Sequence, residues 1–347
     1  MDVQGLIVTA PRRVSKQRLS VPEPVATDLV VRVEFCGLCT PEQRVYRGTR
    51  ATYPYWGGHE LAGVVEAAPY SPADFKVGDR VAVLLMQRCG VCHACRKGFD
   101  NHCAYLHTGS RPGLPIGPGG LVDRIIVPSY KAFRVPQLLS AEKAALIEPV
   151  ACVLRSIERA RPRAGEQAAV IGGGTMGLLH TALLTRKGCR VFLFDDDEAT
   201  YSQGIAAGAV SCEALSAVED TQKQNAWTDG WGFDLVACTR FGARAVTLAL
   251  SALARGGRIV LYQSITDNDD VRIGANLVHY REIEIIGTVA QSAANVSAAV
   301  ALMAHDHFFL DILRTEIIPA SRAEDAFEAA LSPQVNRVLI DLRSTFV

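Results

Sequence analysis

The chain has 347 residues, 36 basic against 36 acidic, and 49% of them are hydrophobic. Balanced charge removes the electrostatic case for nucleic acid or an anionic membrane surface, and the apolar content removes bulk disorder. The length suits two domains better than one core.

The first stretch, "MDVQGLIVTAPRRVSKQ", has too short an apolar run for a secretion signal, and no segment carries the roughly 18 uninterrupted apolar residues of a membrane span. The expectations are a cytoplasmic location, no membrane and no nucleic-acid partner. In such a chain the 10 cysteines read as metal ligands or small buried hydrophobes rather than disulfides.

Residues 1–150 read as β-rich. "DLVVRVEF", "ELAGVVEAA", "DRVAVLL" and "DRIIVP" are short β-branched runs separated by Gly, Pro and Asp. From 151 the texture changes to alternation. "ACVLRSIERA" predicts a helix, "QAAVIGGG" a strand running into glycines, "TMGLLHTALLTRKG" a helix closed by Gly188, and "CRVFLFD" a strand. "EATYSQGIAAG", "FDLVACT", "ARAVTLALSALARGG" and "RIVLYQS" continue as helix, strand, helix and strand. That order predicts βαβ units on a parallel sheet. The tail, 290–347, carries the helices "NVSAAVALMAH" and "SRAEDAFEAAL" and a final strand, "NRVLIDL".

"CGVCHACRKGFDNHC" holds Cys89, Cys92, Cys95 and Cys103. Four thiolates so close in sequence can surround one Zn²⁺ tetrahedrally with no open position, which makes a structural site. The spacing alone also admits an iron–sulfur cluster. His93 and His102 lie inside this loop and are expected to face solvent, because the cysteines complete the ligand set.

"AAVIGGGTMGLL" contains Gly172, Gly174 and Gly177 in a GxGxxG pattern that follows a strand and opens a helix. Alone the pattern is weak. Here a second strand follows and ends in Asp195, about twenty residues on, as a dinucleotide fingerprint requires. Gly172 serves the tight turn, Gly174 the approach of a pyrophosphate, and Gly177 close helix packing. Thr175 and Met176 open the helix and complete the cofactor set. The Asp195 carboxylate suits ribose hydroxyls and repels a 2′-phosphate. No arginine follows in the next several residues, so NAD is expected over NADP.

These motifs together resemble the medium-chain, zinc-dependent alcohol dehydrogenase superfamily, and in particular its sorbitol (polyol) and threonine dehydrogenase branch. The residues that carry the resemblance are Cys39, the Gly58-His59-Glu60 run, the knuckle, Glu148-Pro149 and the glycine fingerprint; it covers essentially the whole chain. It implies an α/β fold with a GroES-like β-rich catalytic domain over 1–150, to which 290–347 returns, and a doubly wound Rossmann domain over 151–289. It implies two zinc ions per chain, one structural and one catalytic, with NAD, a small alcohol or ketone substrate, and a homodimer or homotetramer. By the same resemblance Cys39, His59, Glu60 and Glu148 are the catalytic zinc set, with either carboxylate binding directly or standing off, and Cys36 is a packing neighbour.

One local departure stands out. The family usually carries Ser or Thr two residues after the first ligand cysteine, and often His five after, to pass out the substrate proton. Here those positions are Pro41 and Arg44. Thr40, Pro41 and Gln43 read locally as a helix cap, first turn and capping box. The relay then falls to Thr40, Glu60, Glu148 or a water chain, or is weak. The functional expectation is NAD-dependent oxidation of a secondary alcohol, of polyol, cyclitol or sugar-like type. The alternatives are a narrow biosynthetic cyclitol, aminocyclitol or sugar dehydrogenase, and a non-catalytic NAD-binding relic. Tyr46, Tyr53, Tyr55, Trp56 and the loop "HTGSRPGLPIGPGG" are the segments the resemblance sets near the substrate.

Overall fold

In the computed structural model of the chain, residues 1–68, 75–105, 113–240, 242–263 and 271–343 are described. The first part of the substrate-loop assignment, residues 107–112, lies outside them. The chain divides into two units: Met1–Ala151 with Gln291–His307 and Arg314–Val347, and Cys152–Ala290 with Phe308–Leu313.

The first unit is built on a seven-stranded sheet. Its order is Thr315–Pro319, Arg337–Asp341, Asp28–Gly37, Glu60–Ala67, Arg80–Val83 and Ala132–Arg134, with Arg124–Pro128 also pairing with Asp28–Gly37. The run "DLVVRVEF" is nearly continuous in apolar residues because its strand is central, and Val31, Val33 and Phe35 are fully buried. Register does the positioning. Gly37 stands opposite Glu60 on one side and opposite Leu339 on the other. The end of the chain is thereby brought beside the turn that carries Cys39. The missing side chain at Gly37 makes room for the acid opposite, since a Cβ there would lie 2.3 Å from Glu60 Oε2.

The second unit is the expected parallel sheet. Its order is Ser211–Glu213, Arg190–Phe194, Gln167–Ile171, Phe233–Cys238, Leu253–Leu261 and Glu284–Gly287, and every pair is parallel. The chain winds outward from Gln167–Ile171 to one side and then returns to build the other. The switch point falls between Gln167–Ile171 and Phe233–Cys238, where ligands of doubly wound sheets bind at the carboxyl ends of the strands.

Several local expectations are corrected. Helix Thr40–Arg47 is capped by Cys39, not Thr40, and the residue that closes the capping box is Glu42, not Gln43. The helix predicted over "ARAVTLALSALARGG" stops at Ala252, and Leu253 already pairs with Phe233 in a strand. There the ladder slips in register and Gly256 takes φ 71°, so sheet pairing overrides local helix propensity. The hairpin Asp2–Ala10 with Arg13–Ser20 and the strand Thr315–Pro319 had no counterpart in the sequence reading.

Candidate metal centres and cofactor cradle

The knuckle gathers its sulfurs. The Sγ atoms of Cys89, Cys92, Cys95 and Cys103 all lie within 4.8 Å of one another, and Cys89 and Cys95 are 3.9 Å apart. Metal–sulfur bonds of about 2.3 Å in a tetrahedron set sulfurs about 3.8 Å apart. Backbone amides aim at the same atoms: Cys92 N–H donates to Cys89 Sγ at 3.2 Å, and the N–H groups of Cys89 and Tyr105 donate to Cys103 Sγ at 3.3 and 3.4 Å. Such donors stabilise thiolates. The amides of Ala104 and Cys95 draw Cys92 down to about 6, whereas burial pushes Cys95 up to about 12. An all-sulfur set with amide support fits Zn²⁺. His93 and His102 are exposed.

The second cluster is assembled from distant segments. Donor atoms of Cys39, Glu42 and His59 lie within 4.8 Å of one another, and those of His59, Glu60 and Glu148 do the same. Hydrogen bonding separates the acids. Glu42 is fully buried and its carboxylate is in use: it accepts the Cys39 N–H at 3.2 Å, the Gly58 N–H at 2.9 Å and the Tyr55 hydroxyl at 3.4 Å, and stands 3.2 Å from His59 Nδ1. It holds the histidine by Nδ1 and leaves Nε2 for a metal. Burial alone would lower the His59 pKa, but Glu42 and Cys39 outweigh it and hold it well above the ordinary value. Burial alone would raise Glu42, and His59 outweighs it in the same way.

Glu60 is as deeply buried, yet neither carboxylate oxygen accepts a hydrogen bond. Its recorded partner is Arg337, 3.3 Å away, whose Nη1 also donates to Leu38 O at 3.1 Å. A buried carboxylate with both oxygens so under-used is the kind of donor a cation compensates. Glu148 opens helix Ile147–Ala160, and one oxygen accepts a hydrogen bond from Gln291 Nε2 at 3.0 Å. Burial pushes the Cys39 thiol up, the usual state of a ligand cysteine without its metal. One sulfur, one imidazole nitrogen and carboxylate oxygens fit Zn²⁺ with a position open. Thr40 is half-buried beside them and takes no part in the cap, while Cys36 is fully buried.

In the second unit Gly172 has φ 109°, and a Cβ there would meet Thr239 Oγ1 at 2.8 Å. At Gly177 a Cβ would sit 1.7 Å from Gly172 O, so the helix could not start so close to the strand. At Gly174 nothing lies within 4 Å of that position, which leaves the backbone open to a ligand. No side chain caps helix Thr175–Arg186, so Thr175 and Met176 lie in a first turn with its positive end toward that space. Asp195 Oδ2 accepts the Gly173 N–H at 2.6 Å, and Oδ1 accepts the Asp197 N–H at 2.9 Å.

The cofactor reading gains a partner that the local sequence does not show. An arginine does reach Asp195: Arg240, just past strand Phe233–Cys238, lies 3.3 Å from Asp195 Oδ1 and 3.1 Å from Asp196 Oδ2. It comes from the neighbouring strand across the switch point, where local sequence gives no sign of it. Glu42, Arg337 and Gln291 were likewise missed. Only Glu42 had a local signal, as the acid three residues after a capping cysteine.

The alcohol dehydrogenase GroES-like domain model matches residues 25–137. The chain is 26% identical over 336 residues to the sorbitol dehydrogenase of Bacillus subtilis (strain 168), covering 95% of this chain and 94% of that one. It is 25% identical over 332 residues to the L-threonine 3-dehydrogenase of Deinococcus deserti, covering 92% and 93%. Among solved structures, a zinc-binding dehydrogenase fold from Sinorhizobium meliloti 1021, solved with NADP bound, superimposes with a TM-score of 0.86 at 25% identity, covering 98% of this chain and 99% of that one. These likenesses support the resemblance to the medium-chain, zinc-dependent alcohol dehydrogenase superfamily. The relatives include polyol and threonine dehydrogenases, which supports an oxidoreductase acting on a small alcohol. Among the described residues no helix is long and apolar enough to cross a membrane.

Proposed function

We propose that this chain is a zinc-dependent dehydrogenase that moves a hydride between NAD and a secondary alcohol of polyol, cyclitol or sugar-like type. The observation that carries the reading is the asymmetry of the two buried acids beside His59: Glu42 is fully engaged in hydrogen bonds, and Glu60 accepts none. Cys39, His59, Glu60 and Glu148 would hold the catalytic zinc, and Cys89, Cys92, Cys95 and Cys103 the structural one, two ions per chain. When bound, the catalytic zinc supplies Lewis-acid polarisation of the substrate oxygen, and the nicotinamide supplies the hydride acceptor.

The chain's own residues do the rest. Glu42 fixes the ring of His59, and Arg337 balances the charge of Glu60. Pro41 has no hydroxyl and Arg44 no imidazole, so the Thr40 hydroxyl is the group proposed to pass on the substrate proton. Gly172, Gly174, Gly177, Thr175 and Met176 cradle the pyrophosphate, and Asp195 receives the ribose. Arg240 is matched by two carboxylates, Asp195 and Asp196, which supports NAD over NADP. The catalytic domain is taken as 1–150 with 290–347, and the cofactor domain as 151–289. The chain would work in the cytoplasm as a homodimer or homotetramer, a reading supported by the edge strand Glu284–Gly287, which leaves Ile285 exposed.

The test is reduction of NAD⁺ by the zinc-loaded protein across polyols, cyclitols, aminocyclitols, simple secondary alcohols and threonine, with NADP⁺ as control. Turnover of one hydroxylated class with NAD⁺ is expected. Preference for NADP⁺ would overturn the cofactor assignment, and silence with one zinc per chain would return the chain to a non-catalytic role.

A further inference from the structure

Arg88 is a buried cation that belongs to neither ligand cluster. Its side chain is 6% exposed and it precedes the first knuckle cysteine. Its Nε stands 3.0 Å from Asp100 Oδ2, and Asp100 lies within the knuckle between Cys95 and Cys103. This pair grips one short segment at two points. Arg88 Nη2 donates to Gln291 O at 3.1 Å, and Asp100 Oδ2 accepts the Ala293 N–H at 3.0 Å. The backbone on both sides of Ser292 is thus tied to the knuckle. Gln291 is itself 1% exposed, and its side chain donates to Glu148 Oε1 at 3.0 Å.

We infer that Arg88, Asp100 and Gln291 form a strut by which the four-cysteine knuckle positions Glu148 at the catalytic metal centre. The inference rests on the proposed reading of that centre. A carboxylate that meets a metal needs its direction set by a partner, and such partners commonly control metal affinity. Here the amide of Gln291 is that partner. The amide in turn is aimed by a backbone that the knuckle holds. Gln291 is a positioning residue and touches no reacting atom. The order of the knuckle therefore reaches the chemistry through three side chains, and the structural metal contributes to the affinity of the catalytic one.

The test uses the full chain with its knuckle metal retained and Co²⁺ at the catalytic position, its affinity measured by competition with a chelator and its visible spectrum recorded. Gln291→Leu keeps the volume and removes the donor, and its Co²⁺ affinity should fall by roughly tenfold, with shifted visible bands and an unchanged knuckle stoichiometry. Arg88→Lys keeps the positive charge that Glu148 feels and loses the guanidinium grip on the Gln291 backbone, so the double variant should be no weaker than Gln291→Leu alone. An affinity of Gln291→Leu within about twofold of the parent, or effects of the two substitutions that add, would overturn the strut while leaving the metal centre in place. A parent chain that holds the knuckle ion alone would overturn the strut and the catalytic reading together.

Discussion

The knuckle and the Cys39–His59 cluster are both groups of side chains able to hold a metal ion, and they are built in opposite ways. The knuckle takes every donor from residues 89–103, uses one element type, and closes its shell. The second cluster takes donors from a helix cap, the start of a strand and the start of a helix over a hundred residues apart, and mixes sulfur, nitrogen and oxygen. Its supports come from still farther away: Arg337 on the last strand and Gln291 ahead of helix Ala293–His305. A local loop stays competent if the surrounding sheet shifts slightly. An assembled site depends on register, and here on Gly37 standing opposite Glu60.

The largest expected effect falls on the assembled site. His59→Ala should lower kcat/KM by at least about a thousandfold, since a Lewis acid supplies several kcal/mol of stabilisation. NAD binding should be little changed. Full activity would break the contrast by removing the assembled site from the chemistry.

A distinct acid sensitivity is expected in the second unit, from a buried imidazole outside both ligand clusters. His180 there is 1% exposed; its Nδ1–H donates to Met176 O at 2.7 Å, and its Nε2 accepts the Ser156 hydroxyl at 2.8 Å. Burial lowers its pKa from 6.5 to about 4. Below 6.5 the unfolded chain binds a proton that the folded unit refuses, so stability is lost as pH falls from about 6.5 to about 4, by roughly 3 kcal/mol in all. Hydrogen exchange of the amides in Gln167–Ile171 should show that loss, and His180→Gln should flatten it. An unchanged slope in the variant would assign the sensitivity elsewhere.

Glu42→Gln probes the support of His59 rather than a metal donor. It should weaken the catalytic metal by about 10- to 100-fold in chelator competition and leave the knuckle metal untouched. Equal loss from both sites would mean that the two constellations are not independent at this residue. The smallest change is expected at the cradle. Asp195→Ser removes the acid proposed to receive the ribose and leaves Arg240 with Asp196, so the proposed preference for NAD over NADP should fall by about tenfold, one hydrogen-bonded charge being worth about 1.4 kcal/mol or more. Unaltered selectivity would remove Asp195 from cofactor choice.

How much was readable in advance follows the same division. The parallel-sheet unit and the β-rich unit were legible because strand and helix periods are local, and the knuckle and the glycine run because each is contiguous. The candidate donors of the assembled cluster were proposed only through the resemblance, since His59 or Glu148 alone says little. Glu42 escaped because the helix cap lies one residue earlier than Thr40 suggests, which changes the capping partner from Gln43 to Glu42. Arg337, Gln291 and Arg240 escaped for a different reason. Tertiary folding brings them in from 299, 143 and 45 residues away from the groups they meet at Leu38, Glu148 and Asp195, and no short window contains both partners.

The most direct measurement of the central claim is metal analysis of the purified chain beside Cys103→Ser and Cys39→Ser. Two zinc ions per chain are predicted in the parent. Cys39→Ser should retain the knuckle ion and lose the other, without turnover. Cys103→Ser should lose the knuckle ion, with a fall in Tm of roughly 10 °C. One zinc ion in the parent, unaffected by Cys39→Ser, would contradict the account.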